Sequence, residues 1–285
     1  MLKYRLLFGT LMTILLVGLV VFDGWLDGSL TGSTSDNRHV QASLLVALLA
    51  VPLSLGGIEL SRLATGKGLA VLNPVTAVGL VLVATTWYWP QFIPISQSMY
   101  LLLTLALVLA AIFLQQHLQH GNDGALGNCG ISCFLLLYLG LLGAFALGIR
   151  IDEGPWAFLS FVFVVKSSDI GAYTFGRLFG KNKLSPHVSP KKTWEGLIGA
   201  AAVAAIVSMA FTLVFGIMQV WVAPIFGACM AAIGQLSDLA ESMLKRDAQQ
   251  KDSSNRVPGF GGILDVIDSL LFAAPVAYVF FRLTA

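Results

Sequence analysis

Between Ser237 and Ser269 the chain gathers Asp238, Glu241, Ser242, Lys245, Arg246, Lys251, Asp252, Asp265 and Asp268, and Pro258-Gly259-Phe260-Gly261-Gly262 interrupts the run. Carboxylates, a hydroxyl and ammonium groups at this density, flanked by apolar segments, need partners. A divalent metal and a phosphate suit the mixture, because hard cations take carboxylate oxygens while Lys and Arg hold phosphate oxygens. On a helix Asp238, Ser242 and Lys245 fall at i, i+4 and i+7 and line one stripe, with Glu241 close by. Gly259, Gly261 and Gly262 permit tight backbone approach, and Asp265 and Asp268 then share a face of the following helix. The expected metal ligands are Asp238, Asp265 and Asp268, meeting across two neighbouring helices.

Two upstream segments carry further chemistry. In Lys166-Ser167-Ser168-Asp169-Ile170-Gly171-Ala172-Tyr173 the first Lys and the Asp are three apart and share a helix face. They either form a plain ion pair or face a polar site, since an unpaired charge at the centre of a membrane helix costs about 2.5–3.5 kcal/mol. The loop from Gly180 to Gly196 places Ser189, Lys191, Lys192, Thr193 and Glu195 within seven residues, which reads as a triphosphate clamp. Ser189 followed by Pro190 reads as a helix start whose free amides and dipole favour an anion. The plainer reading of the same loop is a topology signal attracted to anionic lipid.

The elements that must position these groups are membrane helices. Of the 285 residues 56% are hydrophobic and only 11% charged, with mean hydropathy +0.81, more apolar surface than a soluble domain can hide. Apolar stretches at 4–25, 40–61, 69–89, 98–118, 129–149, 155–179, 194–216, 219–244 and 262–284 each suit a hydrocarbon layer about 30 Å thick. The expectation is an all-α polytopic membrane protein with about nine transmembrane helices. Lys3 and Arg5 before an apolar core resemble a signal peptide. Leu6 to Phe22 is long for one and no clear small-residue cleavage site follows, so the segment reads as a retained helix. Most of the seventeen Lys and Arg fall on the N-terminal side of these spans, including Arg62, Lys67, Arg177, Lys181, Lys183, Lys191, Lys192, Lys245, Arg246, Lys251 and Arg256. Only Arg38, Arg150 and Arg282 fall opposite, so the N-terminus and both basic loops, 177–193 and 245–261, are expected in the cytoplasm.

The first half offers little chemistry. Asp27 to Asn37 reads as a solvated connector, and His117, His120 and Asp123 lie in a Gly-rich loop without metal-ligand spacing. Cys129, Cys133 and Cys229 form no CxxC pair and read as packing residues. No internal repeat is visible, which weakens the alternative of an ion or organic-anion transporter. The expected organisation is a scaffold with lipid-facing and dimer surfaces over 1–150, and a catalytic region over 151–285.

Ser237-Asp238, Ser242, Lys245-Arg246, Lys251-Asp252, Pro258-Gly259, Gly261-Gly262, Asp265 and Asp268 follow the pattern of phosphatidate cytidylyltransferases, the CDP-diacylglycerol synthases, which this chain resembles. Asp169-Ile170-Gly171-Ala172-Tyr173 and Ser189-Pro190-Lys191-Lys192-Thr193-Trp194-Glu195-Gly196 are similar to upstream elements of that family, in the same order, so the resemblance covers roughly 160 to 285. It implies a homodimer of a bacterial inner membrane that condenses CTP with phosphatidate and releases pyrophosphate, using Mg²⁺ and in some members K⁺ as a second cation. Nucleic acid is not an implied partner. By the same resemblance Asp238, Lys245, Asp265 and Asp268 are the catalytic set. Asp169, Ser189, Lys191, Lys192, Thr193, Glu195, Ser242, Arg246, Lys251, Asp252, Gly261 and Gly262 are expected to bind substrate. Phe260 and Val266 stand where the family usually has His and Arg, so the role of the His is either missing here or supplied by a neighbour such as Lys251 or Arg256. Related alternatives are a polyprenol kinase and an archaeal-type lipid cytidylyltransferase, which differ in the product released.

Overall fold

A computed structural model describes residues 2–30, 38–254 and 261–284. The apolar runs form helices α1 (Leu2–Asp27), α2 (Ser43–Gly66), α3 (Asn73–Ala84), α4 (Gln97–His120), α5 (Ala125–Leu135), α6 (Leu142–Gly148), α7 (Gly154–Phe179), α8 (Trp194–Phe215), α9 (Ala223–Asp247) and α10 (Leu264–Thr284). The described residues are all-α apart from one small hairpin, and seven helical stretches among them are long and apolar enough to cross a membrane.

That number differs from the expected nine in two places. The run at 69–89 contains only a 12-residue helix, begun by Pro74 and followed by turns and a short 3-10 segment, Trp89–Gln91. At 1.5 Å per residue the helix spans about 18 Å, less than the hydrocarbon layer. The runs 129–149 and 155–179 belong to one helical stretch of 55 residues, Ala125–Phe179, with π-helical turns at Leu136–Leu141 and Ile149–Glu153. Gly154 interrupts it at φ 90° and ψ 176°, outside the helical region and accessible to glycine alone without strain.

α7, α8, α9 and α10 make the densest part of the bundle. Helices in lipid associate through close packing rather than a hydrophobic driving force, so small residues mark the contacts. A Cβ on Gly171 of α7 would lie 2.9 Å from the Gly199 carbonyl of α8, and one on Gly227 of α9 would lie 2.6 Å from the Ala204 carbonyl. Phe161, Val164, Ala200, Ala204, Phe226, Met230 and Ala273 are buried between these helices.

The expected helix start at Ser189-Pro190 is instead a strand. β1 (Lys183–Ser185) and β2 (Ser189–Thr193) pair antiparallel, with Lys183 opposite Thr193 and Ser185 opposite Ser189. The helix begins at Trp194 because Thr193 Oγ1 accepts a hydrogen bond from Gly196 N at 3.1 Å, a capping bond that Ser189 does not make.

At the opposite end of the bundle Arg150, 0% exposed, bonds Asp23 Oδ2 at 3.0 Å and Asp27 Oδ2 at 2.8 Å. Asp23 also accepts from Leu44 N and Asp27 from Ala42 N, so one guanidinium ties the end of α1, the start of α2 and the turn before α7 together. Replacing Arg150 by Met strands two buried carboxylates, and the expected loss is about 3–5 kcal/mol. Unfolding of the detergent-solubilised protein checks this; an unchanged midpoint contradicts it.

Candidate active site

α9 and α10 run side by side and bring their polar turns together. Lys245, buried on α9, forms ion pairs with Glu241 one turn back and with Asp265 Oδ1 in the first turn of α10. Asp265 Oδ2 accepts from Gly262 N at 2.7 Å, Ser253 Oγ at 2.8 Å and Ser253 N at 3.2 Å. The carboxylate therefore caps its own helix and anchors the preceding loop, using both oxygens on protein donors. Gly261, at φ 101°, and Gly262 carry the backbone into this cap; a Cβ on Gly262 would collide with Ser253 Oγ and Glu59 Oε2.

A second group lies between α7, α9 and α10. Lys192 of β2 donates to Asp238 Oδ2 and to the Gln235 carbonyl, each at 3.1 Å, so the hairpin is pinned to α9. Lys166 donates to Ser269 Oγ at 2.7 Å, and Ser269 Oγ donates to Asp169 Oδ2 at 3.1 Å; Lys166 and Asp169 are 3.5 Å apart. Asp268, largely buried, accepts at Oδ1 from Ser269 N at 2.7 Å, and its carbonyl accepts from Ser237 Oγ. Ser237, next to Asp238, bonds the Asp268 carbonyl, and Ser269, next to Asp268, bonds both Lys166 and Asp169, so three carboxylates share this region with Lys166 and Lys192 at its edges.

The expected convergence of Asp238, Asp265 and Asp268 on one metal is not what the side chains do. Among the described residues no set of three or more His, Cys, Asp or Glu is placed to hold one ion. Asp265 turns to Gly262, Ser253 and Lys245, while Asp268, one turn later, faces α7 and α9. A shared helix face was the right geometry for their Cα atoms, but local capping bonds redirected one side chain. The residues present still suit Mg²⁺, which takes one or two carboxylates and fills its shell with water and phosphate oxygens. Asp169 Oδ1 is buried without a hydrogen-bond partner beside Asp238, leaving a hard oxygen that this surrounding does not satisfy.

Other expected binding residues divide. Thr193 is buried as the α8 cap. The Glu195 carboxylate accepts from Lys181 N, Asn182 N and Asn182 Nδ2, and so holds the hairpin's first strand in place. Ser189 sits in β2 and Ser242 is half-buried on α9, whereas Lys191, Arg246, Lys251 and Asp252 are exposed around the same end of the bundle. Arg246 meets the Gln250 carbonyl at 3.4 Å. Val266 is half-buried in the first turn of α10. Arg256, Pro258, Gly259 and Phe260 lie outside the described residues.

The sequence reading missed Glu59. This α2 residue, 0% exposed, accepts from Ser254 Oγ at 2.6 Å, Ser253 Oγ and Leu264 N at 3.0 Å, and Ile263 N at 3.2 Å. It satisfies the free amides that open α10 and holds the same loop that Asp265 holds. An acidic residue inside an apolar span was the available signal, because such a charge persists only with buried partners. Glu59→Gln keeps the shape but removes charge-assisted acceptance, worth about 1.5–3 kcal/mol per bond. Faster hydrogen exchange at the Ile263 and Leu264 amides is the expected result, and unchanged exchange would contradict the capping role.

The family model for the cytidylyltransferase family matches residues 38–284. The phosphatidate cytidylyltransferase of Haemophilus influenzae is 32% identical over 255 residues, covering 72% of this chain and 88% of that protein. The Bacillus subtilis phosphatidate cytidylyltransferase is 31% identical over 233 residues, covering 79% and 85% respectively. The Brucella suis protein of the same name is 39% identical over 148 residues, and there the match spans about half of either chain, 51% of this one and 54% of the relative. With nearly its whole length matched and its carboxylates and lysines gathered at one end of the helices, this chain belongs to the cytidylyltransferase family.

Proposed function

We propose that the protein is a CTP:phosphatidate cytidylyltransferase, forming CDP-diacylglycerol and pyrophosphate. The observation that carries this reading is the Asp169–Asp238–Asp268 carboxylate group edged by Lys166 and Lys192, set where a basic hairpin meets three membrane helices. A lipid phosphate and a nucleoside triphosphate can meet there, one from the bilayer and one from water. The names of the relatives supply the substrates.

Phosphatidate carries an ionised phosphate and needs no strong general base. One of its oxygens attacks the α-phosphorus of CTP while the bond from that phosphorus to the bridging oxygen of pyrophosphate breaks. Asp238 and Asp268 are the residues that would hold Mg²⁺, with water and phosphate oxygens completing its shell; when bound, the ion would screen the phosphates and favour departure of pyrophosphate. Lys192 lies against Asp238 and is placed to exchange that contact for a phosphate oxygen, and exposed Lys191 and Arg246 extend the positive edge towards water. Lys245 contributes its charge from the Glu241–Asp265 pair, and Asp265 positions it rather than holding the metal.

The proposed topology is nine crossings with a cytoplasmic N-terminus, assembled as the homodimer that the resemblance implies. Two contacts support counting α3 as a crossing. Leu72 N reaches Ser132 Oγ at its start and Trp87 Nε1 reaches Asp152 just beyond its end, so α3 and its following turns cover the same depth as α5 and α6. The basic residues favour the orientation with or without the paired ones. Arg150 and Arg282 on the opposite side are ion-paired, as are Lys67, Lys192 and Lys245 on the N-terminal side, and among the basic residues left the excess still lies on the N-terminal side.

Purified protein given phosphatidate and each labelled nucleoside triphosphate in turn is expected to make a lipid-linked CMP product and pyrophosphate with CTP alone. Release of CDP with phosphoryl transfer would instead indicate a kinase. Asp238→Asn is expected to lower kcat by about 100-fold or more. Asp265→Asn should lower kcat while leaving the Mg²⁺ concentration for half-maximal activity nearly unchanged; a large rise in that concentration would return Asp265 to the metal.

A further inference from the structure

On the far side of α2 from Glu59 lies a cleft of about 250 Å³ between α2, α3 and α5. Its composition changes along its length. Arg62 and Thr65, in the last turns of α2, and Asn73, at the start of α3, form one end. Towards the middle of the helices the walls become mainly apolar, with Gly57, Ile58, Ala77, Leu80 and Leu135 beside the small hydroxyls of Ser54 and Ser61. The polar end lies at the same end of the bundle as the candidate active site, since Lys67, one turn past Arg62, pairs with Asp247 at the end of α9.

One buried hydroxyl and one exposed guanidinium in this cleft lack a protein partner among the described residues. Thr76 is 3% exposed, lines the cleft, and its hydroxyl is buried without a hydrogen-bond partner. Arg62 is exposed at the mouth and makes no ion pair among the described residues. Glu59, three residues earlier and in principle able to pair with it, is committed to the first turn of α10. A positive mouth above an apolar trough matches one kind of molecule in a bilayer, an acyl chain carrying an anionic head group. A soluble anion would leave the trough unfilled, and an uncharged lipid would leave the guanidinium unmatched.

We propose that this cleft binds an anionic membrane phospholipid, with its phosphate on Arg62 and Asn73 and one acyl chain along Ile58, Ala77 and Leu80. The site is separate from the reaction site, because none of Lys166, Asp169, Lys192, Asp238, Lys245, Asp265 and Asp268 lines the cleft. The hydroxyl of Thr76 accompanies the glycerol ester region, where a polar atom is buried just below the head group.

The test uses the full chain in phosphatidylcholine vesicles containing a trace of phosphatidylglycerol with a photoactivatable acyl chain, without CTP or turnover. Labelling is expected on peptides of α2 and α3. Excess unlabelled phosphatidylglycerol should suppress it, whereas added phosphatidylcholine or inorganic phosphate should not. Arg62→Gln is expected to lower labelling about tenfold, the loss of one charge-assisted contact, and Thr76→Val to lower it less, both with unchanged thermal midpoints. Absence of labelling on α2 and α3, equal competition by phosphatidylcholine, competition by inorganic phosphate, or full labelling of Arg62→Gln would each overturn the proposal. None of these outcomes depends on which nucleotide the protein uses, so failure here leaves the enzymatic reading to its own test.

Discussion

Lys245 lies between Glu241 of its own helix and Asp265 of the next, and through Asp265 it is linked to the Ser253 amide and hydroxyl. An ammonium group among apolar helices persists only if charges of opposite sign are built around it, because desolvating it alone costs several kcal/mol. The need for those partners fixes the depth and rotation of α9 against α10. It also draws in α2, whose Glu59 holds the two serines and two amides at the entrance to α10. Three helices distant in sequence are thus registered by a few buried charges, and the neighbouring carboxylates inherit their positions from that registration.

The bundle uses the same residue types differently at its two ends. Around Arg150 the carboxylates of Asp23 and Asp27 are engaged by guanidinium, hydroxyl and amide donors, which makes a structural clasp, although Arg150 Nε and Nη1 are themselves buried without partners. Around Asp238 satisfaction is incomplete. Asp169 Oδ1 and Glu241 Oε1 are buried without partners, and the Lys192–Asp238 pair stays partly open to solvent. What separates the two ends is the kind of atom left over: at the Arg150 end it is donor nitrogen, and near Asp238 it is carboxylate oxygen beside lysines, the type that a hard cation takes. The hairpin of β1 and β2 has a matching role. Glu195 and Thr193, which read as phosphate-binding groups, hold the hairpin so that Lys192 reaches α9.

Much of this was legible in the residue order. Runs of apolar side chains locate the helices because hydropathy and length are local properties, and the 3.6-residue period places Asp238, Glu241 and Lys245 on neighbouring faces without any tertiary information. What hydropathy misjudged was continuity. It separated 129–149 from 155–179 where the backbone stays helical up to Gly154, and it read 69–89 as one long helix where Pro74 and the turns after Ala84 leave only 12 helical residues.

The sequence alone therefore determined that this is a membrane protein with its carboxylates and lysines concentrated in the last three spans and two basic loops, because composition and periodicity survive any folding. Only the tertiary structure decided which carboxylates face one another. Asp265 and Asp268 are equivalent by spacing, yet one is turned aside by Gly262, Ser253 and Lys245 while the other is tied to α9 beside Asp238 by the Ser237 hydroxyl on its carbonyl. The difference comes from hydrogen-bond donors that other parts of the chain bring to a helix start, and that competition exists only after the helices have packed.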